Sequence, residues 1–266
     1  MKSYSDEKPR TYWFVFCCGS LLLMKNPMDS SASVPFSETP PTETKEWTTM
    51  FRLPDIGEYR AMAYSIDQPF VNNDGMLFVG LRDTFKILPK HIHEMAGKAA
   101  ELLYWDSNTK YCGVCGAPMK RDTEISKKCT NCGKEVWPQV APAIIVRIER
   151  DDKILLVKAH NFKRNFYGLV AGFVETGENL EDCVIREVAE ETGLKIKNVR
   201  YFGSQAWPYP SGIMIGFTAE YADGELHLQK EELSNGGWFS FDNMPEIPDK
   251  ISIARMLIDD WICSRL

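Results

Sequence analysis

The sequence predicts an α/β protein in three parts: a small mixed α/β domain over residues 1–108, a cysteine-rich module over 109–138 and a larger α/β domain over 139–266. Apolar runs with strand spacing alternate with segments of helical spacing, two C-x-x-C pairs lie close together, and a strongly acidic helix follows them. With 266 residues, 44% of them hydrophobic, the chain is long enough to bury one large or two modest cores.

The composition disfavours nucleic acid as the main partner. The formal net charge of -6 provides no general attraction for a phosphate backbone, although a local basic face is compatible with it. Four of the eight cysteines, Cys17, Cys18, Cys183 and Cys263, are scattered along the chain without a repeated spacing. We therefore expect reduced thiols and a cytoplasmic protein.

The first domain is expected to begin with a β-hairpin. Its apolar run YWFVFCCGSLLLM, residues 12–24, is interrupted at Gly19 and is too short to cross a membrane. A signal peptide is the competing interpretation, which Asp6 and Glu7 ahead of the run disfavour. Residues 89–105 predict a helix that leads into the cysteines, because their apolar residues share one stripe. That stripe consists of Ile92, Met95, Ala99, Leu102 and Leu103.

The cysteine-rich module predicts a structural zinc site. Its ligands would be Cys112, Cys115, Cys129 and Cys132, in two pairs that are thirteen residues apart and are each followed by glycine. Four soft ligands in two tight turns match the closed tetrahedral site of one zinc ion, which leaves no open position for catalysis. Two disulfides are one alternative. A zinc ribbon that binds nucleic acid is another, supported by the basic stretch KRDTEISKK between the pairs.

The third domain is expected to open with a second hairpin. Two apolar runs flank Arg150, Asp151 and Asp152 in APAIIVRIERDDKILLVKAH. A loop, a helix, further strands and a closing helix over about residues 252–266 follow. This order of elements predicts an α/β domain.

The helix predicted over residues 180–192 has an unusual distribution of charge. Asn179 is its expected N-cap and Gly193 its expected terminator. One stripe of the helix, at positions i, i+4, i+7 and i+11, consists of Leu180, Val184, Glu187 and Glu191. The apolar face thus becomes acidic toward the C-terminus.

The acidic end of this stripe predicts a divalent cation. A solvated face is the usual explanation of a charge run, but Glu187 and Glu191 continue the stripe that packs inward. Like charges at i,i+4 repel by about 0.3 kcal/mol when exposed, and partial burial makes uncompensated carboxylates much more costly. Clustered oxygen ligands without His or Cys suit Mg²⁺ or Mn²⁺, which bridge to substrate phosphates.

Residues 172–194, GFVETGENLEDCVIREVAEETGL, resemble the Nudix box at every defining position. The resemblance implies an α/β/α sandwich in which a loop, a helix and a loop present glutamates to divalent cations. It also implies hydrolysis of a nucleoside diphosphate linked to another moiety. The catalytic residues that it implies are Glu178, Glu187, Glu190 and Glu191, with Glu190 as an additional ligand or base. Arg186 lies on a different face and is expected to pair with a carboxylate of the box.

Beyond the box, the stretch SQAWPYPSG, residues 204–212, predicts a stiff loop whose aromatic rings offer flat faces to a base. A strand end packed into the core is the alternative. Between Tyr111 and Leu266, the chain contains the cysteine pairs, the Nudix box and this stretch, in that order. This arrangement resembles the NADH pyrophosphatase family. The N-terminal third resembles it only weakly. The sequence departs from the family pattern at Ala206, Tyr209 and Gly212, where Pro, Phe and Ser are usual.

The family resemblance implies site residues beyond the box. About two or three Mg²⁺ or Mn²⁺ ions would be held by Glu187, Glu191, Glu232 and the backbone carbonyl of Ala171. Phe173 would stack on the substrate base, and Trp137, where Tyr is usual, would reach the partner subunit's site in a homodimer. The other implied substrate contacts are Arg82, Glu124, Gln205, Ala206, Trp207, Pro208, Tyr209, Pro210, Ser211, Gly212 and Ala254.

The reaction that the resemblance implies is metal-dependent hydrolysis of the pyrophosphate bond of NADH or NAD⁺ to NMN(H) and AMP. Removal of the NAD cap from RNA 5′ ends is the close alternative, because it cleaves the same bond. A regulator that only binds nucleotides has no need for so costly a carboxylate cluster, and a zinc-ribbon interaction protein leaves the acidic helix unexplained. The expected partners are a small dinucleotide and a second copy of the chain, without a membrane.

Overall fold

The chain divides into two compact units. A computed structural model describes residues 10–29, 31–69, 75–160 and 165–265, so that Asp6 and Glu7 lie outside the described residues. The first unit is Met1–Gln139 with Pro208–Ser211, and the second is Val140–Trp207 with Gly212–Leu266. Within the described ranges, no helix is both long and apolar enough to span a membrane.

A seven-stranded mixed sheet and one helix form the core of the first unit. The elements are β1 Thr11–Cys17, β2 Ser20–Lys25, β3 Ala32–Ser33, β4 Phe36–Ser37, β5 Phe51–Ile56, β6 Tyr59–Ser65, β7 Met76–Gly80, a 3-10 turn at Asp83–Lys86 and α1 Lys90–Asn108. The strand order is β3-β2-β1-β6-β5, with β4 paired to β1 and β7 to β2. Antiparallel β1 and β2, with Phe16 opposite Leu21, confirm the predicted hairpin.

Alternation along β1 divides the apolar residues of the first unit between two faces of the sheet. Phe14 and Phe16 belong to the cluster that packs against α1, whereas Trp13 and Val15 belong to a cluster on the opposite face. The predicted stripe of α1 is confirmed. Ile92, Ala99 and Leu102 are buried in the first cluster, and Met95 and Leu103 are half-buried against it.

The cysteine module is a small antiparallel sheet that is part of the first unit. Its strands are β8 Met119–Thr123, β9 Ser126–Cys129 and β10 Glu135–Val136. Lys127 in β9 is buried, and its ammonium lies 2.8 Å from the Asp106 carboxylate of α1 and over the ring of Trp105. This ion pair attaches the module to the helix that precedes it.

A six-stranded mixed sheet forms the second unit. The elements are β11 Ala141–Arg150, β12 Lys153–Ala159, β13 Val170–Phe173, α2 Leu180–Thr192, β14 Lys195–Ala206, β15 Gly212–Asp223, β16 Leu233–Ser240, a 3-10 turn at Phe241–Asn243 and α3 Ile253–Cys263. The order is β14-β15-β11-β12-β16, with β13 paired to β11 and with β11 and β15 parallel. The predicted hairpin turns between Arg150 and Lys153.

Helices cover both faces of this second sheet. Ile144, Val146 and Ile148 of β11 share a buried cluster with α2, whereas Ile145 belongs to the cluster that contains α3. Because neighbouring strand residues point to opposite faces, the two helices lie on opposite sides of the sheet. The predicted α/β/α sandwich is confirmed.

Candidate active site

Helix α2 has the predicted ends. The Asn179 side chain accepts a hydrogen bond from the backbone N–H of Asp182 at 2.8 Å, and Gly193 ends the helix with a left-handed φ of 71°. The predicted inward stripe is also present: Glu191 is only 4% exposed, whereas Glu190, one position away, is exposed. A carboxylate is therefore buried on the packing face of the helix.

The Glu187 carboxylate lies against the backbone of β13. Gly172 pairs with Ile144 of β11, and Ile144 lies in the buried cluster that includes α2. A β-carbon added at Gly172 would overlap the carboxyl group of Glu187. The glycine at the start of the box is thus a steric requirement of the glutamate fifteen residues later.

Arg186 connects three glutamates. Its Nη2 donates to Glu178 at 2.6 Å, and its Nη1 donates to Glu187 at 2.9 Å and to Glu190 at 3.0 Å. A third donor, Nε, reaches the second oxygen of Glu178 at 3.0 Å, which makes that contact bidentate. Hydrogen bonds from Arg186 and from the backbone N–H of Glu175 hold the pKa of Glu178 at about 2. The expected pairing of Arg186 with the box is confirmed.

Glu191 has the most perturbed carboxyl group of α2. Burial, with the nearby charges of Glu187, Glu232 and Glu190, raises its pKa to about 8. Burial also raises the pKa of Glu187, although Arg186 acts in the opposite direction. Both shifts have the physical cause that the sequence predicts, which is negative charge removed from water without a sufficient counter-charge.

Glu232 reaches this cluster through the segment before β16. The backbone N–H of Gln229 donates to the Glu191 carbonyl at 2.9 Å, and the N–H of Glu232 donates to the Gln229 carbonyl at 3.1 Å. These bonds attach the turn to the last residues of α2. The charge of Glu232 contributes to the raised pKa of both Glu187 and Glu191, so the three carboxylates share one region.

The carboxylate cluster fits a divalent cation by its donor chemistry. Its ligands would be oxygens only, and their repulsion would be relieved by positive charge. Within the described part of the chain, the cysteine quartet is the group whose potential ligand atoms all lie within 4.8 Å of one another. The three glutamates do not bring one oxygen each that close together. Phe173, at the end of β13, leaves 67% of its surface exposed.

Two predicted substrate contacts, Gln205 of β14 and Ala254 of α3, lie at the start of α3. The Gln205 amide donates to the Ile251 carbonyl and accepts from the Ile253 N–H, both at 2.7 Å. Ala254 is 9% exposed and belongs to the buried cluster of α3. Gln205 thus fixes the N-terminus of the helix that carries Ala254.

The tip of the predicted substrate loop packs within the first unit. Tyr209 is half-buried against the core of that unit, and the Arg82 guanidinium lies 4.6 Å from the centre of its ring. The packing of Tyr209 therefore agrees with the alternative interpretation, a strand end packed into the core. At the neck of the loop, in the second unit, the Trp207 N–H donates to the Gly212 carbonyl at 2.7 Å. Ala206 and Pro210 are exposed.

The remaining predicted contacts also belong to the first unit. Trp137 is 52% exposed, and Glu124 lies in the turn between β8 and β9, where its carbonyl accepts from Arg121 at 2.9 Å. Ser211 donates through its hydroxyl to the Gln139 carbonyl at 2.8 Å.

The four predicted zinc ligands come together. The sulfurs of Cys112 and Cys132 are 3.6 Å apart and those of Cys115 and Cys129 are 3.5 Å apart. A tetrahedron with Zn–S bonds of about 2.3 Å has sulfurs about 3.8 Å apart, so the quartet fits one ion. The backbone N–H of Val114 lowers the pKa of Cys112, and the N–H groups of Cys132 and Asn131 lower that of Cys129. All eight cysteines are free thiols, which excludes the two-disulfide alternative.

The basic stretch between the cysteine pairs is engaged in the fold. Lys127 is buried with Asp106, and Lys128 lies 2.8 Å from the Glu135 carboxylate. Arg121 donates to the Met50 carbonyl at 2.8 Å. The basic residues of KRDTEISKK therefore support nucleic-acid binding less strongly than the sequence alone suggests.

Sequence reasoning missed the two contacts that shape the box. The close contact of the Glu187 carboxylate with Gly172 depends on how β13 approaches α2. The spacing of the box was the only signal of this contact in the sequence. The attachment of Gln229 to Glu191 had no local signal, because it joins a turn to a helix end far away in sequence.

Comparisons with known proteins agree with this geometry. Residues 138–259 match the NUDIX domain model, and residues 10–105 match the model of an NADH pyrophosphatase-like rudimentary NUDIX domain. The NAD-capped RNA hydrolase NudC of Pseudomonas aeruginosa PAO1 is 36% identical over 83% of this chain and 82% of its own length. The chain belongs to the NADH pyrophosphatase family of Nudix hydrolases. The expectation that its N-terminal third resembles this family only weakly is wrong, since that third has its own match.

Other members of the Nudix superfamily show the same fold. NAD-capped RNA hydrolase NudC of Klebsiella pneumoniae strain 342 is 42% identical over 64% of this chain and 67% of its own length. The crystal structure of a Nudix hydrolase from Nitrosomonas europaea covers 59% of this chain and 92% of its own, with 22% identity and a TM-score of 0.51. The family makes this chain a hydrolase, and its sandwich is shared with a solved structure.

Proposed function

We propose that this Nudix hydrolase cleaves the pyrophosphate bond of NADH and NAD⁺, so that one water and one dinucleotide give NMN(H) and AMP. The observation that carries the proposal is the carboxylate cluster at the end of α2, where burial raises the pKa of Glu187 and Glu191 and the charge of Glu232 raises both further. Such a cluster is costly to the fold unless it binds cations that neutralise a pyrophosphate.

Each residue of the cluster has a proposed part. Glu187, Glu191, Glu232 and the Ala171 carbonyl would hold Mg²⁺ or Mn²⁺, which would neutralise the pyrophosphate and supply an activated water. Glu190, whose carboxylate lies 3.0 Å from Nη1 of Arg186, would act as an additional ligand or base.

Arg186 and Glu178 would keep the cluster in position. The bidentate contact between them fixes the guanidinium, whose Nη1 then holds Glu187 and Glu190. Phe173 offers its exposed face to a base.

Removal of the NAD cap from RNA is the second candidate, because curated relatives at 36% and 42% identity are named for that reaction. The bond and the carboxylates would be the same. The net charge of -6 and the internal pairing of Lys127 and Lys128 disfavour tight binding of the RNA body. We therefore expect recognition of the cap to dominate that of the RNA.

The test is product analysis with purified protein. NADH, NAD⁺, ADP-ribose and NAD-capped RNA are incubated with Mg²⁺ or Mn²⁺, with and without EDTA, and the products are separated by chromatography. Glu191→Gln should lose metal-dependent release of NMN(H) and AMP. Glu181→Gln, an exposed glutamate on the same helix, should retain it. If the protein binds nucleotides but hydrolyses none of these substrates, the proposal is wrong and the regulatory alternative is favoured.

We also propose a homodimer with one zinc ion per chain, in a reducing, cytoplasmic setting. The cysteine module leaves Tyr111, Val114, Ile125 and Trp137 each more than half exposed, which favours a protein interface. The zinc site requires free thiols, which a reducing compartment maintains.

A mixing experiment tests whether Trp137 acts on the partner's site. Trp137→Ala and Glu191→Gln proteins are each expected to be weakly active. If subunits exchange, a mixed dimer has one site with an intact Glu191 and an intact Trp137 from the other chain. Recovery of activity on mixing would support the dimer, and additive residual activities would contradict it.

A further inference from the structure

We propose that the N-terminal unit holds the SQAWPYPSG loop in its substrate-binding shape, with Gly97 and Arg82 as positioning residues. The inference deepens the proposed function and rests on it, because it takes over the expected part of this loop in dinucleotide binding. It also gives the N-terminal unit a task that its own residues do not otherwise reveal.

The first observation is the approach of Pro208 to α1. Gly97 is buried in the middle of this helix, and a β-carbon added there would lie 2.9 Å from Cγ of Pro208. That distance is too short for two carbon atoms, and the proline ring cannot rotate away as a flexible side chain would. Glycine is less favourable than alanine in a helix interior, so an opposing benefit at this position is expected.

The second observation is the environment of Tyr209. The Arg82 guanidinium lies 4.6 Å from the ring centre, a cation–π distance, and the ring packs against the apolar cluster that includes α1. Burial raises the pKa of the Tyr209 hydroxyl. One face of this aromatic residue is thus occupied by protein and is not available to a substrate base.

The third observation is that hydrogen bonds hold both the tip and the neck of the loop. Ser211 bonds to the Gln139 carbonyl at 2.8 Å, and across the neck the Trp207 N–H bonds to the Gly212 carbonyl at 2.7 Å. The packing of Pro208 and Tyr209 adds to these bonds in restricting the loop. A site held in its binding shape in advance loses less entropy when ligand binds.

The decisive variant is Gly97→Ala. Helix propensity alone would make this substitution favourable, so a loss reports the displacement of Pro208. Gly203→Ala is the matched control, because a β-carbon at Gly203 meets no atom within 4 Å. The affinity for NAD⁺ is measured by calorimetry without divalent metal, so that no turnover is needed. Amide hydrogen exchange at Trp207 reports the loop itself.

A second set of variants tests the Arg82–Tyr209 contact. Arg82→Ala and Tyr209→Leu both remove the cation–π interaction, whereas Tyr209→Phe keeps the ring. The Kd of Tyr209→Phe should therefore lie closer to wild type than that of Tyr209→Leu. A merely structural role would lower thermal stability without this rescue of affinity.

We expect Gly97→Ala, Arg82→Ala and Tyr209→Leu to weaken NAD⁺ binding about tenfold and to speed exchange at Trp207, with Gly203→Ala unaffected. Faster exchange with unchanged Kd would overturn the inference, as would weaker binding with an undisturbed loop. A wild-type protein that binds NAD⁺ without hydrolysing it would sink the proposed function alone, and the Kd ratios would still decide this inference. A wild-type protein that neither binds NAD⁺ nor hydrolyses it with metal present would overturn both.

Discussion

The carboxyl group of Glu187 occupies the space above Gly172 in which any other residue would have its β-carbon. The two residues come from β13 and α2, which pack together only in the folded second unit. The position of a proposed metal ligand is therefore set by the absence of a side chain on the neighbouring strand.

Gly172→Ala is expected to abolish most activity while leaving the fold intact. The added methyl group must displace Glu187, and misplacement of a catalytic group by about 1 Å can cost about 100-fold in rate. Steady-state kinetics with NADH and circular dichroism check this together. Gly203→Ala, which adds its methyl group in open space on β14, should keep full activity. Equal activity of the two variants would contradict the steric requirement.

Arg186→Lys should lower activity although it keeps the positive charge. A lysine has a single ammonium group and cannot reproduce the contacts of three guanidinium nitrogens with Glu178, Glu187 and Glu190. Loss of such supporting contacts typically costs about 10- to 100-fold in metal affinity or activity. The dependence of rate on Mg²⁺ concentration measures both. Arg52→Lys, at an exposed ion pair with Asp55, is the control and should have no effect.

The stability of the protein without divalent cations should fall as pH rises, in part because of Glu191. Burial and neighbouring carboxylates raise the folded pKa of this group to about 8 from an ordinary value of 4.5. Between these pH values the folded state keeps the proton and the unfolded chain releases it. The contribution of Glu191 is then complete below the unfolded pKa and is lost progressively as pH approaches 8.

Melting temperatures of wild type and Glu191→Gln between pH 5.5 and 8.5 test this linkage. The glutamine cannot titrate, so the variant should become the more stable of the two as pH rises. Mg²⁺ at pH 8 should stabilise wild type more than the variant. A difference between the two proteins that is constant over the pH range would contradict the raised pKa.

Local sequence rules predicted the elements of the site better than its contacts. The ends of α2 followed from Asn179 and Gly193, and the inward stripe that buries Glu191 followed from helical spacing. Those properties depend on neighbours in sequence. The contact of Gly172 with Glu187 depends on how β13 approaches the helix, which no local pattern specifies.

In the loop after β14, amino-acid types alone do not show which partner an aromatic ring contacts. An aromatic residue between two prolines suggested a surface for a substrate base, yet Tyr209 packs on Arg82. Both interpretations bury one face of a stiff aromatic ring, so the amino-acid type cannot distinguish them. The partner that decides it, Arg82, lies more than a hundred residues earlier in the chain.

Removal of zinc should change the number of reactive thiols from two to six. Outside the quartet, Cys18 and Cys263 are exposed, whereas Cys17 and Cys183 are buried. Bound zinc would protect the four cysteines of the quartet, so a thiol reagent should react quickly only with the two exposed ones. After chelation the quartet should react as well, and elemental analysis should show one zinc ion released per chain. Six reactive thiols before chelation would contradict the zinc site.

Gln205→Leu should loosen the start of α3. The Gln205 amide serves both the Ile251 carbonyl and the Ile253 N–H at 2.7 Å, and leucine leaves both groups without this partner. An unsatisfied buried polar group costs about 1–3 kcal/mol, so hydrogen exchange at Ile253 should accelerate markedly. Ser252→Ala removes the longer cap bond to the Arg255 N–H, at 3.3 Å, and should have a smaller effect. Because Ala254 follows directly, a selective rise in KM for NADH in Gln205→Leu would link this helix start to substrate binding. An unchanged exchange rate at Ile253 would show that the amide of Gln205 does not hold the helix.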